Sequence, residues 1–206
     1  MESKRGKMEF LIHPNFESTS DFHADFDSPE KVGRLKSERE MVLRWKERVL
    51  KLEKNPQKIL VIFSSSTSEQ QLDGGAIDRE IINFAKEKLG SRCVVLPKSS
   101  EYSSLYQDTE NHAGQLLEEL KKNGFIKNDE DVKDFSSVAF GEWSEACVMS
   151  VSSQINEKLG LNKETRLLTK DSLGIGGVND KTVNSNTKHV LNQMRKRGLR
   201  GVVVKE

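Results

Sequence analysis

Cys147 stands where a cysteine can act as a nucleophile. The run FGEWSEACVMSVSSQINEKLG (140–160) starts with the end of a β-rich segment, and an amphipathic helical pattern begins just before this cysteine. A helix N-terminus lowers the pKa of a thiol and presents backbone N–H groups to an oxyanion. The competing interpretation is packing, because free cysteine is among the most often buried residue types. Nucleophilic chemistry is favoured only if the chain also supplies a base and a cation near this position.

The composition argues against several classes of partner. Basic and acidic side chains nearly cancel, 33 against 32, so a net charge of +1 gives no electrostatic case for nucleic acid. No apolar run is long enough to cross a bilayer, and the polar N-terminus lacks the apolar core of a signal peptide. The cysteines, Cys93 and Cys147, are too few for a disulfide framework and lack metal-site spacing. We therefore predict a reduced, soluble, cytoplasmic protein with no metal or other cofactor and no membrane or nucleic-acid partner.

Strand and helix patterns alternate along the whole chain. Strands are predicted at 8–12, 58–63, 92–97, 135–140, 165–169 and 200–204. Helices are predicted between them at 36–55, 75–90, 111–124, 144–160 and 183–198, and four end at a glycine that suits a left-handed cap: Gly90, Gly124, Gly160 and Gly198. The strands are continuous apolar runs, which is typical of a sheet covered on both faces. The pattern predicts one α/β domain over residues 1–206, a three-layer, doubly wound sandwich around a mostly parallel six-stranded sheet.

Two polar segments are predicted to be loops. Residues 13–35, HPNFESTSDFHADFDSPEKVGRL, contain histidines and aspartates, but their spacing matches no metal-ligand template, and we predict an irregular loop. The Ser-rich segment SSSTSEQQLDGG (64–75) could cradle an anion with its hydroxyls. Because it lacks the Gly-Lys-Ser/Thr ending of a phosphate-binding loop, we predict a flexible connector.

Residues that could do chemistry follow four of the predicted strands. His13 follows the first strand, Lys98 the third, the segment 141–147 the fourth, and Asp171 the fifth. Ligands of parallel α/β sheets bind outside the carboxyl ends of the strands. A thiol, a lysine and a histidine are thereby predicted to share one edge of the sheet.

In order and spacing, these segments resemble the isochorismatase-like cysteine hydrolases, the superfamily that includes nicotinamidases and carbamoyl-amidohydrolases. The most specific match is GEWSEACV (141–148), which follows the family pattern of a glycine, five further residues, and Cys-Val. FLIHPNF and VVLPKSSEYSSLY upstream, and LLTKDSLGIGGVNDKTVNSNTKHVLNQMRKRG downstream, resemble the family's other segments, so the resemblance covers nearly the whole chain. It implies a Rossmann-like, isochorismatase-like fold, a small-molecule substrate and, as a candidate assembly, a homo-oligomer.

The resemblance also implies roles for individual residues. The family's triad is Asp, Lys and Cys; Lys98 and Cys147 match two members, and His13 occupies the aspartate position. The family's metal-binding Asp-x-His arrangement is replaced here by serines 64–66, which disfavours a nicotinamidase. By the same resemblance, Trp143 and Cys147 would supply backbone N–H groups to the oxyanion.

Two further residues complete the predicted site. Gly141 and Asp171 are predicted, with Trp143, to line the oxyanion and substrate-binding region. Asp171 either orients Lys98 or caps the turn that follows it, and the sequence leaves both interpretations open.

We hypothesise a variant triad that hydrolyses a C–N or related acyl bond. Cys147 would attack, His13 would carry the proton, and Lys98 would favour the thiolate. Each residue also has a structural interpretation: Cys147 as a packed thiol, Lys98 as a solvated lysine, and His13 as a hydrogen-bonded edge residue. The alternative function is a non-catalytic binding or interaction protein that keeps the fold, because fold and activity are separable.

Overall fold

The computed structural model describes residues 6–12, 14, 29–73, 78–100, 105–142, 147–172, 180–196 and 201–205. Its strands form one sheet in which every neighbouring pair is parallel. The strands are β1 (Lys7–Ile12), β2 (Lys58–Thr67), β3 (Cys93–Lys98), β4 (Ser136–Gly141), β5 (Thr165–Leu168) and β6 (Val202–Lys205). Their order across the sheet is β3-β2-β1-β4-β5-β6. The predicted parallel α/β sandwich is confirmed, and each strand lies within three residues of its predicted start.

Helices cover the sheet from both sides. They are α1 (Pro29–Glu53), α2 (Ser68–Asp73), α3 (Arg79–Leu89), α4 (Leu105–Lys122), α5 (Met149–Lys158) and α6 (Asp180–Lys196). Buried side chains of α1 and α3 share one apolar cluster, and those of α4, α5 and α6 share a second on the opposite face. Within the described residues, no helix is both long enough and apolar enough to cross a membrane.

The core follows from helical and strand periodicity. In α1 the buried residues recur every three or four positions, which places them on one helix face: Met41, Trp45, Val49 and Leu52. Along β1, Phe10 and Ile12 belong to the cluster under α4–α6, whereas Leu11 belongs to the cluster under α1. A strand with apolar neighbours on both faces needs a continuous apolar run, as the sequence predicted. Trp45, the largest of these side chains, is 1% exposed in this core.

Two predicted glycine caps are confirmed by their positive φ values: 73° at Gly124 and 61° at Gly160. Residues with side chains rarely adopt this left-handed conformation, so glycine ends these segments. Gly90 ends α3 with φ 56°, but its ψ of −129° lies outside the left-handed helical region. Gly198 lies outside the described residues.

The prediction of an irregular loop at 13–35 is wrong for residues 29–35. Helix α1 begins at Pro29, so residues 29–35 are helical. Proline suits the first helical position, because its φ is already helical and its missing N–H has no intrahelical partner there. Residue 13 and residues 15–28 lie outside the described part of the chain.

The flexible connector predicted for the Ser-rich segment is also wrong. Strand β2 continues through Thr67, and Ser64, Ser65 and Ser66 are buried within it. Hydrogen bonds replace apolar contacts: the Ser64 hydroxyl donates to Asp78 Oδ2 at 2.6 Å, and the Ser65 N–H donates to the same oxygen at 2.9 Å. A buried carboxylate 14 positions away therefore makes this polar run a strand.

Candidate active site at the carboxyl edge of the sheet

The candidate site is centred on the point where β1 and β4 leave the sheet side by side. The chain continues to β2 on one side of β1 and returns to β4 on the other, so the strand order reverses between them. Open parallel sheets bind ligands at such a point. Ile12 pairs with Gly141, and the Glu142 N–H donates to the Ile12 carbonyl at 3.1 Å. The two chain exits, one leading directly to His13 and the other to Cys147, are therefore held together.

Gly141 is a glycine because the β1 backbone passes too close for a side chain. Its φ is 145°, and a Cβ placed there would lie 2.0 Å from the Ile12 carbonyl oxygen. Its N–H donates to Ser172 Oγ at 3.3 Å, and that hydroxyl donates to the Leu168 carbonyl at 2.8 Å. Gly141 thus shapes the junction through its missing side chain, and its own N–H is engaged by Ser172.

Cys147 lies in a helical segment that leads into α5, and residues 143–146 before it are outside the described part of the chain. Cys147 and Val148 form a wide helical turn that leads into α5. The Cys147 side chain is half-buried and packs against the core under α4, α5 and α6. The first N–H groups of a helix have no intrahelical partner, so they present positive partial charge that favours a thiolate and an oxyanion. This position combines packing contacts with remaining solvent access, both of which a reactive thiol needs.

Cys93, the other cysteine, lies in a different environment. It begins β3 and is 8% exposed, and burial raises the pKa of its thiol to about 12. The thiolate is the reactive form, so Cys93 is inert near neutral pH. Any thiol chemistry of this chain therefore belongs to Cys147.

Lys98 is the last residue of β3 and pairs with Thr67, the last residue of β2. It is half-buried and lines a cleft of about 740 Å³ at the carboxyl ends of these strands, together with polar side chains from α2 and α4. Strands β2 and β1 separate β3 from β4, a spacing of about 14 Å. Cys147 is not among the described residues that line this cleft. Lys98 ends β3, and Cys147 follows the carboxyl end of β4.

His112 also lines the Lys98 cleft, and we did not predict it. It is 1% exposed, and its Nε2 lies 2.9 Å from the Pro97 carbonyl oxygen. A carbonyl only accepts hydrogen bonds, so Nε2 carries a proton and the neutral ring keeps its lone pair on Nδ1. Nδ1 is buried without a hydrogen-bond partner among the described residues. Burial lowers the pKa of His112, outweighing the opposing effects of the Pro97 carbonyl and the Asp108 carboxylate.

Asp108 holds the backbone that follows Lys98. It is 2% exposed and accepts hydrogen bonds from the Ser99 N–H, at 3.1 Å, and from the Ser99 hydroxyl. Asp108 and His112 are four positions apart, at the start of the i, i+4 row that continues with Leu116 and Leu120. The sequence contains a signal for this pair. On the apolar face of α4, polar residues stand at the N-terminal positions where apolar residues are expected.

Asp171 lies on the opposite face of the sheet, in a salt bridge with α1. Its Oδ2 accepts from Arg48 Nη1 at 2.6 Å, and its carbonyl accepts from Trp45 Nε1 at 2.8 Å. Strand β5, which precedes it, is separated from β3 by three strands. The structure thus places Asp171 with Arg48, where it ties the end of β5 to α1.

The remaining predicted site residues, His13 and Trp143, lie outside the described residues. Among those that are described, no group of three or more His, Cys, Asp or Glu side chains could hold a metal ion. No protein-family model, no curated protein and no solved structure matches this chain. The resemblance to isochorismatase-like hydrolases accordingly stays a prediction, based on the sequence segments quoted above.

Proposed function

We propose that this protein is a cysteine hydrolase that cleaves an amide-type C–N bond of a small molecule, with Cys147 as the nucleophile. The observation that carries the proposal is the β1–β4 junction, where the Glu142 N–H binds the Ile12 carbonyl. It joins the strand end that leads into His13 to the strand end that leads into Cys147. A thiol at a helix start with a histidine on the adjoining chain is a recurrent arrangement for an activated sulfur nucleophile.

The proposed reaction has two steps. His13 takes the thiol proton, and the Cys147 sulfur attacks the carbonyl carbon, while N–H groups at the helix start stabilise the oxyanion. The C–N bond then breaks, and His13 returns the proton to the departing amine. Water next attacks the thioester, which releases a carboxylic acid and regenerates the thiol.

Lys98 is proposed to bind the substrate. Its ammonium group would donate to the polar end of a substrate that lies at the carboxyl edge of the sheet. The Lys98 cleft is lined by hydroxyl, amide and carboxylate side chains, which suits a polar substrate better than an apolar one.

The decisive experiment compares Cys147→Ala with Cys93→Ala. Amine or ammonia release is measured for the wild-type protein over a panel of small aliphatic and aromatic amides and carbamoyl compounds. Cys147→Ala should abolish all turnover, whereas Cys93→Ala, which alters a buried thiol whose pKa is raised to about 12, should retain it. Turnover that survives in Cys147→Ala would overturn the proposal.

Thiol labelling tests the same site without a substrate. Iodoacetamide should alkylate the wild-type protein once at mildly acidic pH, and mass spectrometry should locate the label on Cys147. Cys93→Ala should label as the wild type does, and Cys147→Ala should not label. Labelling of Cys147 only above about pH 8 would show an ordinary thiol and favour the non-catalytic binding alternative.

A further inference from the structure

The sheet face beneath α1 continues beyond that helix as a partly open surface. Leu167 of β5 and Val202 of β6 belong to the core under α4–α6, so the residues next to them, Arg166 and Val203, face the α1 side. Arg166 is exposed and Val203 is half-buried. Helices α1 and α3 bury this face from β3 as far as Phe140 of β4. Among the described residues, the part that includes Arg166 remains accessible.

A cleft of about 550 Å³ extends from Lys7 of β1 and Lys58 of β2 to Arg166 of β5 and is strongly basic. Six cationic side chains line it, against the carboxylates of Glu9 and Asp171: Lys7, Arg48, Lys58, Lys163, Arg166 and Lys170. We call these six residues the basic face. Their charges and the two carboxylates leave a formal +4 at one surface of a chain whose net charge is +1. The positive charge is therefore concentrated here.

The two carboxylates of the cleft are already neutralised. Glu9 is 3% exposed and binds Arg48 Nε at 2.5 Å and Lys58 Nζ at 3.1 Å. Asp171 binds the same guanidinium at 2.6 Å. These contacts account for both acids and fix Arg48 and Lys58 in place.

The other four cations of the basic face have no acidic partner among the described residues: Lys7, Lys163, Arg166 and Lys170. All four are exposed. Like charges held close together repel each other, and an anionic partner relieves that repulsion. The basic face is thus complementary in charge to an extended anion with several charges.

The charge and the lining residues of the cleft indicate which kind of partner could bind there. A second copy of this chain would bring an identical positive surface against the first, which is electrostatically unfavourable. Single-stranded nucleic acid binds by stacking bases on aromatic side chains, and the described lining of the cleft contains no aromatic residue. An acidic peptide needs only cations and a groove, and the half-buried Val138 and Leu168 add apolar contact along it.

We propose that the basic face binds an acidic segment of a partner protein. This surface is independent of the proposed hydrolase site, since none of its six residues is used there. The rim residues Arg166 and Lys170 would steer the partner and supply ion pairs, and binding would weaken as salt screens them.

Fluorescence anisotropy with a defined probe tests this proposal. The probe is a fluorescein-labelled peptide of alternating glutamate and serine, compared with its glutamine–serine counterpart. The acidic peptide should bind, its affinity should fall as NaCl rises from about 50 to about 300 mM, and the glutamine peptide should not bind. Arg166→Glu/Lys170→Glu should weaken binding at least about tenfold, because two attractions become repulsions.

The matched control reverses two exposed lysines elsewhere, in Lys86→Glu/Lys127→Glu. This variant has the same net charge as the test variant and should bind within about twofold of the wild type. Equal weakening by the two double variants would show a nonspecific charge effect and overturn the proposal, as would absence of peptide binding. An oligothymidylate of matching charge that binds more tightly than the peptide would also overturn it, in favour of nucleic acid. Circular dichroism confirms that both variants are folded.

Discussion

Gly141→Ala tests the β1–β4 junction on which the candidate site depends. The added methyl group would lie 2.0 Å from the Ile12 carbonyl oxygen and 2.8 Å from the Ile12 nitrogen. Both are backbone atoms of a central strand, so neither can rotate away as a flexible side chain would. Overpacking of this kind costs about 1–3 kcal/mol, and a side chain at φ 145° adds about 1–3 kcal/mol of backbone strain. We expect a total loss of about 4 kcal/mol of unfolding free energy.

Thermal and urea unfolding followed by circular dichroism measure this loss. For a chain of this size, about 4 kcal/mol corresponds to a fall in Tm of roughly 10 °C. Gly124→Ala separates the two causes, because Gly124 has φ 73° but nothing within 4 Å of the position of its Cβ. That control should lose only about 1 kcal/mol.

A second control is expected to raise the unfolding free energy instead of lowering it. Gly114 lies exposed within α4, with open space around the position of its Cβ, so Gly114→Ala should raise stability by about 0.5–1 kcal/mol. If Gly141→Ala is no less stable than Gly124→Ala, the close approach of β1 is refuted. The side-by-side exit of β1 and β4 from the sheet would lose its support with it.

Two further predictions follow from buried polar groups. Burial lowers the pKa of His112, so the unfolded chain takes up a proton that the folded chain resists, and stability should fall as pH drops from about 7.5 to 5.5. His112→Gln should flatten that dependence of Tm on pH, the exposed His189→Gln should not, and equal slopes in all three proteins would contradict the reasoning. Asp78→Ala removes the acceptor for the Ser64 hydroxyl and the Ser65 N–H and should cost about 3 kcal/mol in urea unfolding. Asp78→Asn keeps one acceptor oxygen and should cost less, so an Asn variant as unstable as the Ala variant would argue against this network.

The sheet could be predicted because its strands are apolar on both faces. Runs such as Ile59–Phe63 have no other stable location in a soluble chain, and the intervening helices carry apolar stripes at helical spacing. The Ser-rich end of β2 could not be predicted in this way, because its burial depends on Asp78. Local sequence cannot indicate a hydrogen-bond partner that only the folded topology brings near.

The candidate site was likewise predictable only where the local sequence carries the information. Lys98 could be predicted at the carboxyl edge because it directly follows a predicted strand, and Cys147 because it ends the segment 141–147 that follows another. The apolar stripe of α4 could have indicated that His112 is buried, but its environment comes from Pro97 and Phe63 on other elements, which the local sequence does not show. The salt bridge of Asp171 could likewise not be predicted from the sequence, since its partner Arg48 lies 123 positions away.

The basic face shows why a whole-chain charge is a weak guide to partners. A net charge of +1 gave no electrostatic case for nucleic acid, yet the parallel topology gathers cations from β1, β2, β5 and α1 on one accessible surface. Compensating acids lie elsewhere, for example on α3 and α4, where Glu87 and Glu119 pair with neighbouring lysines. Because electrostatic attraction in salt acts over only about 10 Å, a partner senses the charge of one face and not the sum over the chain. Conclusions about partners therefore have to be drawn from where the charged residues lie in the folded structure. In this structure, the basic face favours an acidic partner.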